Sequence, residues 1–207
     1  MERCKCCGAI ISSNDTKRLE DIPEQEHIKR AIEVCLVGSH TIGIINTNGY
    51  GEEFGDWLSL HVISVWVEKP CKCGNYMDSQ SECHCTISQI RQWRLRKSFL
   101  HCMNADVVIE STRPRVHTLI KPYQGEPESE MLKRVGTAKQ IEIKDSTLDE
   151  QSNTLLVMAI DRLGLIHTKI ESVKRVAVSI AKLDGLDVIK VQHISEAVQY
   201  AVTPINI

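Results

Sequence analysis

The stretch Thr41-Ile-Gly-Ile-Ile-Asn-Thr-Asn-Gly-Tyr-Gly-Glu-Glu53 decides how the fold is interpreted. Residues 41–45 are apolar and rich in isoleucine, which predicts a buried strand. The second half contains two glycines, which predict a tight turn directly after that strand. Two adjacent carboxylates, Glu52 and Glu53, end the stretch, and their position determines what this turn can bind.

The turn is similar to a phosphate-binding loop that has lost its charge. In such a loop, backbone N–H groups surround the phosphates, a Lys reaches the β and γ oxygens, and a Ser or Thr holds Mg²⁺. Asn46, Gly49 and Gly51 fit the loop, but Glu52 and Glu53 stand where Lys and Ser/Thr belong. A carboxylate about 4 Å from a phosphate oxygen is unfavourable by roughly 4 kcal/mol at an effective dielectric of about 20. We therefore predict a degenerate nucleotide loop and do not expect ATP or Mg²⁺; the alternative is an ordinary turn with surface carboxylates.

Length and charge set the broad class of the protein. The 207 residues suffice for one domain with a sizeable core, and a net charge of −2 gives no overall attraction to nucleic acid or membranes. No apolar run approaches the roughly 20 residues of a membrane span. We expect a cytoplasmic protein without a membrane partner, and we expect its nine cysteines to be reduced or metal-bound.

Four of the cysteines form a regular pattern, C-x-C-x9-C-x-C, made by Cys71, Cys73, Cys83 and Cys85. Two close pairs joined by a short loop suit a tetrahedral site, since Zn²⁺ takes four thiolates at about 2.3 Å. The residues between the pairs are too polar to form a core, so a metal would give them order. We predict a structural zinc here; four reduced thiols in a flexible loop are the alternative.

A second cysteine cluster lies at the N-terminus. Cys4 and Cys7 belong to a C-x-x-C-G motif, which is half of a zinc knuckle, so they are a candidate second metal site. A thiol-rich tail without metal is the equally weighted alternative. Cys102 is a possible further ligand, whereas we expect Cys35 on the buried face of its helix.

The remaining pattern predicts an α/β protein. We expect an amphipathic helix from Leu19, a second strand from Trp57 to Val67, a basic helix from Gln89 to about Leu100 capped by Ser88, and a third strand over residues 105–109. Three helices are expected after residue 147. The predicted divisions are a Cys-bearing tail (1–18), an α/β core (19–125) with the Cys loop at 70–86, a linker (126–146) and a helical lid (147–207).

The predicted basic helix is a candidate nucleic-acid surface. Residues 89–121 contain seven basic and two acidic residues, and an indole among arginines could stack on a base. The alternative is a solvated charged face. The candidate residues are Arg91, Trp93, Arg94, Arg96 and Lys97.

The chain resembles the magnesium-chelatase-like AAA+ ATPases, and within them the bacterial competence-associated branch. The resemblance is carried by three segments: residues 19–40, residues 70–98 with the Cys loop and basic helix, and the helical motifs between residues 163 and 200. It implies a reduced P-loop AAA+-like core with few strands, a zinc-type Cys loop and a C-terminal three-helix lid.

The departures from this family concern catalysis. The family's P-loop Lys and Thr fall on Glu52 and Glu53, its sensor Asn on Lys69, its finger arginine on Asn104 and its lid sensor arginine near Thr168. The family's Walker B strand has no counterpart, because few residues separate Gly51 from the strand expected near Trp57. Phosphoryl transfer depends on positioning and charge stabilisation by such groups, so the resemblance implies a fold that has lost ATP hydrolysis.

Three functions are consistent with these residues. The first is a non-hydrolysing binding or structural module that joins intact AAA+ relatives or copies of itself. The second is a DNA-binding accessory protein, or one with residual ATP binding. The third, an unrelated enzyme using Asp161, His167 or Asp184, lacks any accompanying catalytic motif.

Overall fold

The computed structural model describes residues 2–3, 10–11, 18–47, 49–61, 64–76, 78, 80–120, 123–144 and 147–202. Two short strands near the N-terminus, β1 (Glu2–Arg3) and β2 (Ile10–Ile11), pair antiparallel. The other strands are β3 (Ile42–Ile45), β4 (Val65–Glu68) and β5 (Val107–Glu110). The α-helices are α1 (Glu26–Gly38), α2 (Glu52–His61), α3 (Ile87–Arg94), α4 (Lys97–Asn104), α5 (Val116–Ile120), α6 (Glu128–Lys139), α7 (Glu150–Leu163), α8 (His167–Leu183) and α9 (Val191–Ala201).

A parallel sheet of the order β4-β3-β5 forms the centre of the α/β core. Ile42 of β3 lies opposite Val65 of β4 and Val107 of β5. All four residues of β3 are buried, as expected for a central parallel strand that is covered on both faces. The predicted strands at residues 41–45 and 105–109 are therefore confirmed within two residues at each end.

The prediction of a strand from Trp57 to Val67 is wrong over most of its length. The first part of that segment belongs to helix α2, and only Val65–Glu68 forms a strand. Phe54, Trp57 and Leu58 are buried at helical spacing on one face of α2, so the aromatic and apolar residues read as a strand are a helix face.

Two other helices begin or end at places that differ from the prediction. The chain at Leu19–Asp21 forms only a short 3₁₀ turn, and α1 begins at Glu26. The predicted basic helix is two helices, α3 and α4. Thr86, and not Ser88, caps α3: its hydroxyl accepts a hydrogen bond from the Gln89 N–H at 3.2 Å, and its own N–H donates to the Gln89 side chain at 2.9 Å.

The C-terminal part is helical, as predicted, and it is larger than predicted. Helices α7, α8 and α9 match the three expected helices. The segment 126–146, predicted as a linker, contains α6, which buries Met131, Val135 and Ala138. These residues recur at helical spacing, and the helix packs against α1 and α8. Within the described residues, no helix has the length and apolar character that crossing a membrane would need.

Asp106 joins the sheet to the helical part of the chain. One carboxylate oxygen accepts hydrogen bonds from the backbone and hydroxyl of Thr41, at 3.2 and 3.0 Å. The other accepts from Ser172 and from Arg175 of α8, both at 2.6 Å. Burial opposes ionisation, but the bonds from Ser172, Thr41 and Arg175 lower the pKa of Asp106 to about 2.

We predict that Asp106→Asn lowers the free energy of unfolding by about 1–2 kcal/mol near neutral pH. This range is smaller than the pKa shift alone would give, because Arg175 is half-exposed and solvent screens its charge. The folded-state pKa lies below the unfolded value. The contribution of Asp106 is therefore present above about pH 4 and is lost as the pH falls towards 2. Urea unfolding at pH 7 and pH 3 measures it. Asp161→Asn, at an exposed position of α7, is the control; equal effects of the two substitutions would contradict the role of Asp106.

Candidate functional site

The four cysteines of the predicted metal loop converge in the structure. Their Sγ atoms all lie within 4.8 Å of one another. Cys71 Sγ is 3.3 Å from that of Cys73 and 3.7 Å from that of Cys83, and the Cys73 and Cys83 sulfurs are 3.6 Å apart. Four sulfurs placed about 2.3 Å from a tetrahedral metal ion are about 3.8 Å from one another. The cluster could therefore hold one metal ion with little rearrangement.

Local turns bring the two pairs of cysteines together. Gly74 has a φ of 86°, a left-handed conformation that favours glycine, and its N–H donates to the Cys71 carbonyl at 3.1 Å. Asn75 donates from its side chain to the Glu82 carbonyl at 3.3 Å. The first bond turns the chain after Cys71, and the second joins the two ends of the polar insert between the pairs.

A further contact fixes this loop to the chain that follows β5. Arg113 donates to the Ser81 hydroxyl at 3.0 Å and lies 3.7 Å from the Asp78 carboxylate. Both partners belong to the insert between the cysteine pairs. The insert is therefore attached to the core independently of any metal.

The thiols of the cluster differ in acidity. Burial opposes ionisation of Cys73, but the Asn75 backbone and the other three thiols lower its pKa to about 6. Burial and the thiols of Cys73 and Cys71 raise the pKa of Cys83 to about 12. One thiolate forms readily and then makes ionisation of its neighbours unfavourable. A bound cation would reverse that second effect.

Of the other cysteines, the two that the structure describes, Cys35 and Cys102, lie apart from the cluster. Cys4 and Cys7, the candidate second site, lie outside the described residues. Cys35 is buried in α1, as predicted. Cys102 Sγ lies 3.8 Å from the Ile44 carbonyl and 3.7 Å from that of Trp66, and burial raises its pKa to about 12. Cys102 is therefore a packed residue beneath the sheet, and it is not one of the four convergent thiols.

The predicted nucleotide loop connects β3 to helix α2, whereas the sequence predicted a strand beginning at Trp57 after this loop. Gly49 has a φ of 85° with open space beside it, which fits a solvent-facing turn. Asn46 is buried and spans the loop: its side-chain oxygen accepts from the Gly51 N–H at 2.8 Å, and its amide nitrogen donates to Glu52 at 3.1 Å. The side chain of Asn46 thus occupies a donor that a phosphate would need.

The charge around this loop is acidic. Glu52 and Glu53 form the first turn of α2, where the helix dipole favours carboxylates. Asp56 follows one turn later, and burial together with Glu52 and Glu53 raises its pKa. Each carboxylate therefore makes a further negative charge at this place less favourable.

A cavity of about 540 Å³ adjoins the loop at the carboxyl edge of the sheet. Three acidic and three basic side chains line it, together with Trp66 and Trp93. The crevice outside the carboxyl ends of parallel strands is the usual place for ligands in α/β proteins. The charged lining residues are Glu52, Asp56, Glu68, Lys69, Lys72 and Arg96.

The five candidate nucleic-acid residues do not form one common face. Arg91 and Lys97 are exposed, and Arg94 is buried. Arg96 covers Trp93, with its guanidinium carbon 3.4 Å from the ring centre, and it pairs with Glu68 at 2.6 Å. The indole N–H also donates to the backbone carbonyl of Lys69 at 3.0 Å. One face and the N–H edge of Trp93 therefore already contact other groups of the chain.

Sequence reasoning did not identify two of the residues that organise this region. Asn46 was grouped with the loop, but its bridging role could have been suspected, since a buried Asn next to glycines often bonds to backbone. Arg94 was grouped with the surface arginines. Its position one turn after the buried Ile90 is the only signal that it faces inwards.

The helical part of the chain is similar to a known family. Residues 125–201 match the model of the C-terminal domain of magnesium chelatase subunit ChlI. The matched range begins just before α6 and ends with α9. The match confirms the predicted resemblance to magnesium-chelatase-like proteins, and it covers α6–α9. No curated protein matches the chain.

We predict that the purified chain contains one equivalent of bound metal, and that removing it with a chelator lowers the melting temperature. A loss of roughly 2 kcal/mol would correspond to roughly 4–8 °C for a chain of this size. The Cys71→Ser, Cys83→Ser double variant should contain no metal and should show no response to the chelator. Metal analysis and thermal unfolding measure both effects; a metal-free wild-type protein would contradict the prediction.

Proposed function

We propose that the chain is a non-hydrolysing, degenerate member of the magnesium-chelatase-like AAA+ proteins, from the competence-associated branch, and that it acts as a binding or structural module. The proposal rests on the loop after β3. There, the Gly51 N–H is bonded to Asn46, and two carboxylates begin the helix that would otherwise face phosphates.

Each of these features opposes nucleotide binding in a different way. The bond from Gly51 to Asn46 must be exchanged for one to phosphate, which brings little net gain. The carboxylates add repulsion of roughly 4 kcal/mol for each close contact at an effective dielectric of about 20. Both effects act on the same small volume, so the loop keeps the backbone path of a phosphate site without its affinity.

The other positions implied by the resemblance support the same proposal. Lys69, Asn104 and Thr168 are exposed and take the places of the family's sensor and finger residues. None of the three offers the group that the family uses at that place. A chain that bound ATP weakly would therefore still lack the charges that stabilise the transition state.

The metal at the four cysteines is proposed to be zinc with a structural role. Four thiolates are a donor set that zinc prefers, and four protein ligands leave no open position for a substrate. The cluster begins three residues after β4 ends. A bound ion would therefore order the connection between β4 and α3.

Partners of the module are proposed to be intact AAA+ relatives or other copies of this chain. The helical part exposes several large apolar side chains, among them Val157, Leu163 and Ile166, which are 56%, 45% and 61% exposed. We propose that these exposed apolar side chains contribute to contacts with such partners. A chain that binds without turnover fits such a role.

We predict no calorimetric signal on titrating the zinc-loaded protein with Mg-ATP up to millimolar concentration. The Glu52→Lys, Glu53→Thr double variant removes the repulsion and supplies the missing groups, so we expect it to bind Mg-ATP more tightly than the wild type. The Glu150→Lys, Glu20→Thr double variant is the control. It changes the net charge by the same amount away from the loop, so its titration with Mg-ATP should give no calorimetric signal. Tight, Mg-linked binding by the wild type would contradict the proposal.

A second proposed function, a DNA-binding accessory role, is supported by the exposure of Arg91 and Lys97 near the ends of neighbouring helices. If it is correct, short single-stranded DNA should bind at low salt, and binding should weaken steeply as salt increases. The Arg91→Gln, Lys97→Gln double variant should lose that binding, and Lys139→Gln should not. Fluorescence anisotropy with labelled oligonucleotides measures this; no binding at low salt removes this function.

A further inference from the structure

Arg94 is a buried arginine whose charge has no partner bonded to it. Its side chain is 9% exposed. Only Nε is bonded, to the Pro70 carbonyl at 3.4 Å, and the buried Nη1 and Nη2 atoms have no hydrogen-bond partner among the described residues. Buried charges in proteins are ordinarily paired, so a guanidinium in this state indicates that a negative group belongs beside it.

The surroundings of Arg94 explain its position but do not balance its charge. The guanidinium lies over the ring of Tyr76, 4.8 Å from its centre, and 5.9 Å from the centre of Phe99. Both rings hold the side chain in place by cation–π contact, which contributes far less than an ion pair. Of the acidic residues, Glu110 is near enough to influence Arg94, but its carboxylate accepts a hydrogen bond from Thr47 at 3.0 Å.

The four-cysteine cluster supplies a negative group at the right place. Arg94 is bonded to the residue that precedes Cys71, and its ring partner Tyr76 lies in the insert between the cysteine pairs. Cys71 is fully buried and interacts electrostatically with Arg94. A divalent ion held by four thiolates carries a net charge of about −2, so the loaded cluster needs a cation close by.

We propose that Arg94 is the counter-charge of the metal–thiolate cluster. It holds the loaded Cys loop against α3 and raises the affinity of the four cysteines for metal. Arg94 acts through the cysteines and is therefore a positioning residue. This inference rests on the metal-binding role proposed above. It also assigns different roles to neighbouring residues of α3, because Arg91 is exposed whereas Arg94 is buried against Pro70 and Tyr76 of the Cys loop.

The test compares Zn²⁺ affinity, by competition with a chromophoric chelator, in the wild type and three variants. Arg94→Met keeps the length of the side chain without its charge, Arg94→Gln keeps a polar group, and Arg94→Lys keeps the charge. We expect the two uncharged variants to bind Zn²⁺ about 10- to 100-fold more weakly. Arg94→Lys should lie within about threefold of the wild type, since it retains a point charge without the planar fork.

A second readout separates charge from packing. Loss of the counter-charge should move the pH midpoint of metal release upwards in Arg94→Met and Arg94→Gln, because their thiolates compete less well against protons. It should also shift the sulfur-to-metal absorption of the Co²⁺-loaded protein. Arg91→Met, on the exposed face of the same helix, should leave both readouts unchanged. Arg94→Gln allows the test to proceed if Arg94→Met does not fold.

The outcomes separate the two proposals. A wild-type protein that binds no Zn²⁺ would overturn the metal role and this inference with it. A wild type that binds Zn²⁺, with uncharged variants that bind it equally well at the same pH midpoint, would overturn only the role of Arg94. Equal losses in Arg94→Lys and Arg94→Met would also overturn it, because they would show that side-chain shape is what matters.

Discussion

The burial of strand β3 is the constraint on which the rest of the structure depends. Parallel neighbours pair with it on both edges, α4 packs against it, and all four of its residues are buried. The loop that follows therefore begins at a fixed point at the carboxyl edge of the sheet. Asn46 is the first residue beyond the strand, and its two hydrogen bonds extend that rigidity across the turn to Gly51 and Glu52.

The fold and the chemistry of this chain are therefore separable. Apolar packing and the Asp106 network fix the sheet and the C-terminal domain, and neither uses the residues that a nucleotide would contact. Charge at Glu52 and Glu53 could change without loss of the core, since neither side chain belongs to the buried apolar clusters. Function resides in sites placed on a fold, and here a site could change while the scaffold stayed.

Those parts of the structure could be predicted from the sequence whose pattern is compatible with only one kind of structure. The spacing of the four cysteines is compatible with few structures, and the glycine-bounded helices near the C-terminus follow from periodicity alone. The pattern of residues 57–67 is ambiguous, because Trp57 and Leu58 are compatible both with a strand and with the buried face of a helix. Helix α6 was missed because its buried face is only Met131, Val135 and Ala138 within a charged segment.

The site was predictable in composition, but its internal contacts were not. Sequence spacing identified the thiols and the acidic loop, whereas the direction of a side chain on a helix depends on tertiary packing. Arg94 shows this most clearly, since its position one turn after Ile90 is the only sign along the chain that separates it from Arg91. The bridging of Asn46 to Gly51 likewise depends on the exact path of the turn, which residue types alone do not fix.

The central claim is that the donor at Gly51 is already taken and that the loop does not accept a phosphate. The most direct measurement is the ¹H–¹⁵N resonance of the Gly51 amide during addition of Mg-ATP to the metal-loaded protein. We expect this resonance to stay in place throughout, with the Asn46 side-chain amide signals equally unchanged. A saturable shift of the Gly51 amide that requires both magnesium and nucleotide would contradict the central claim.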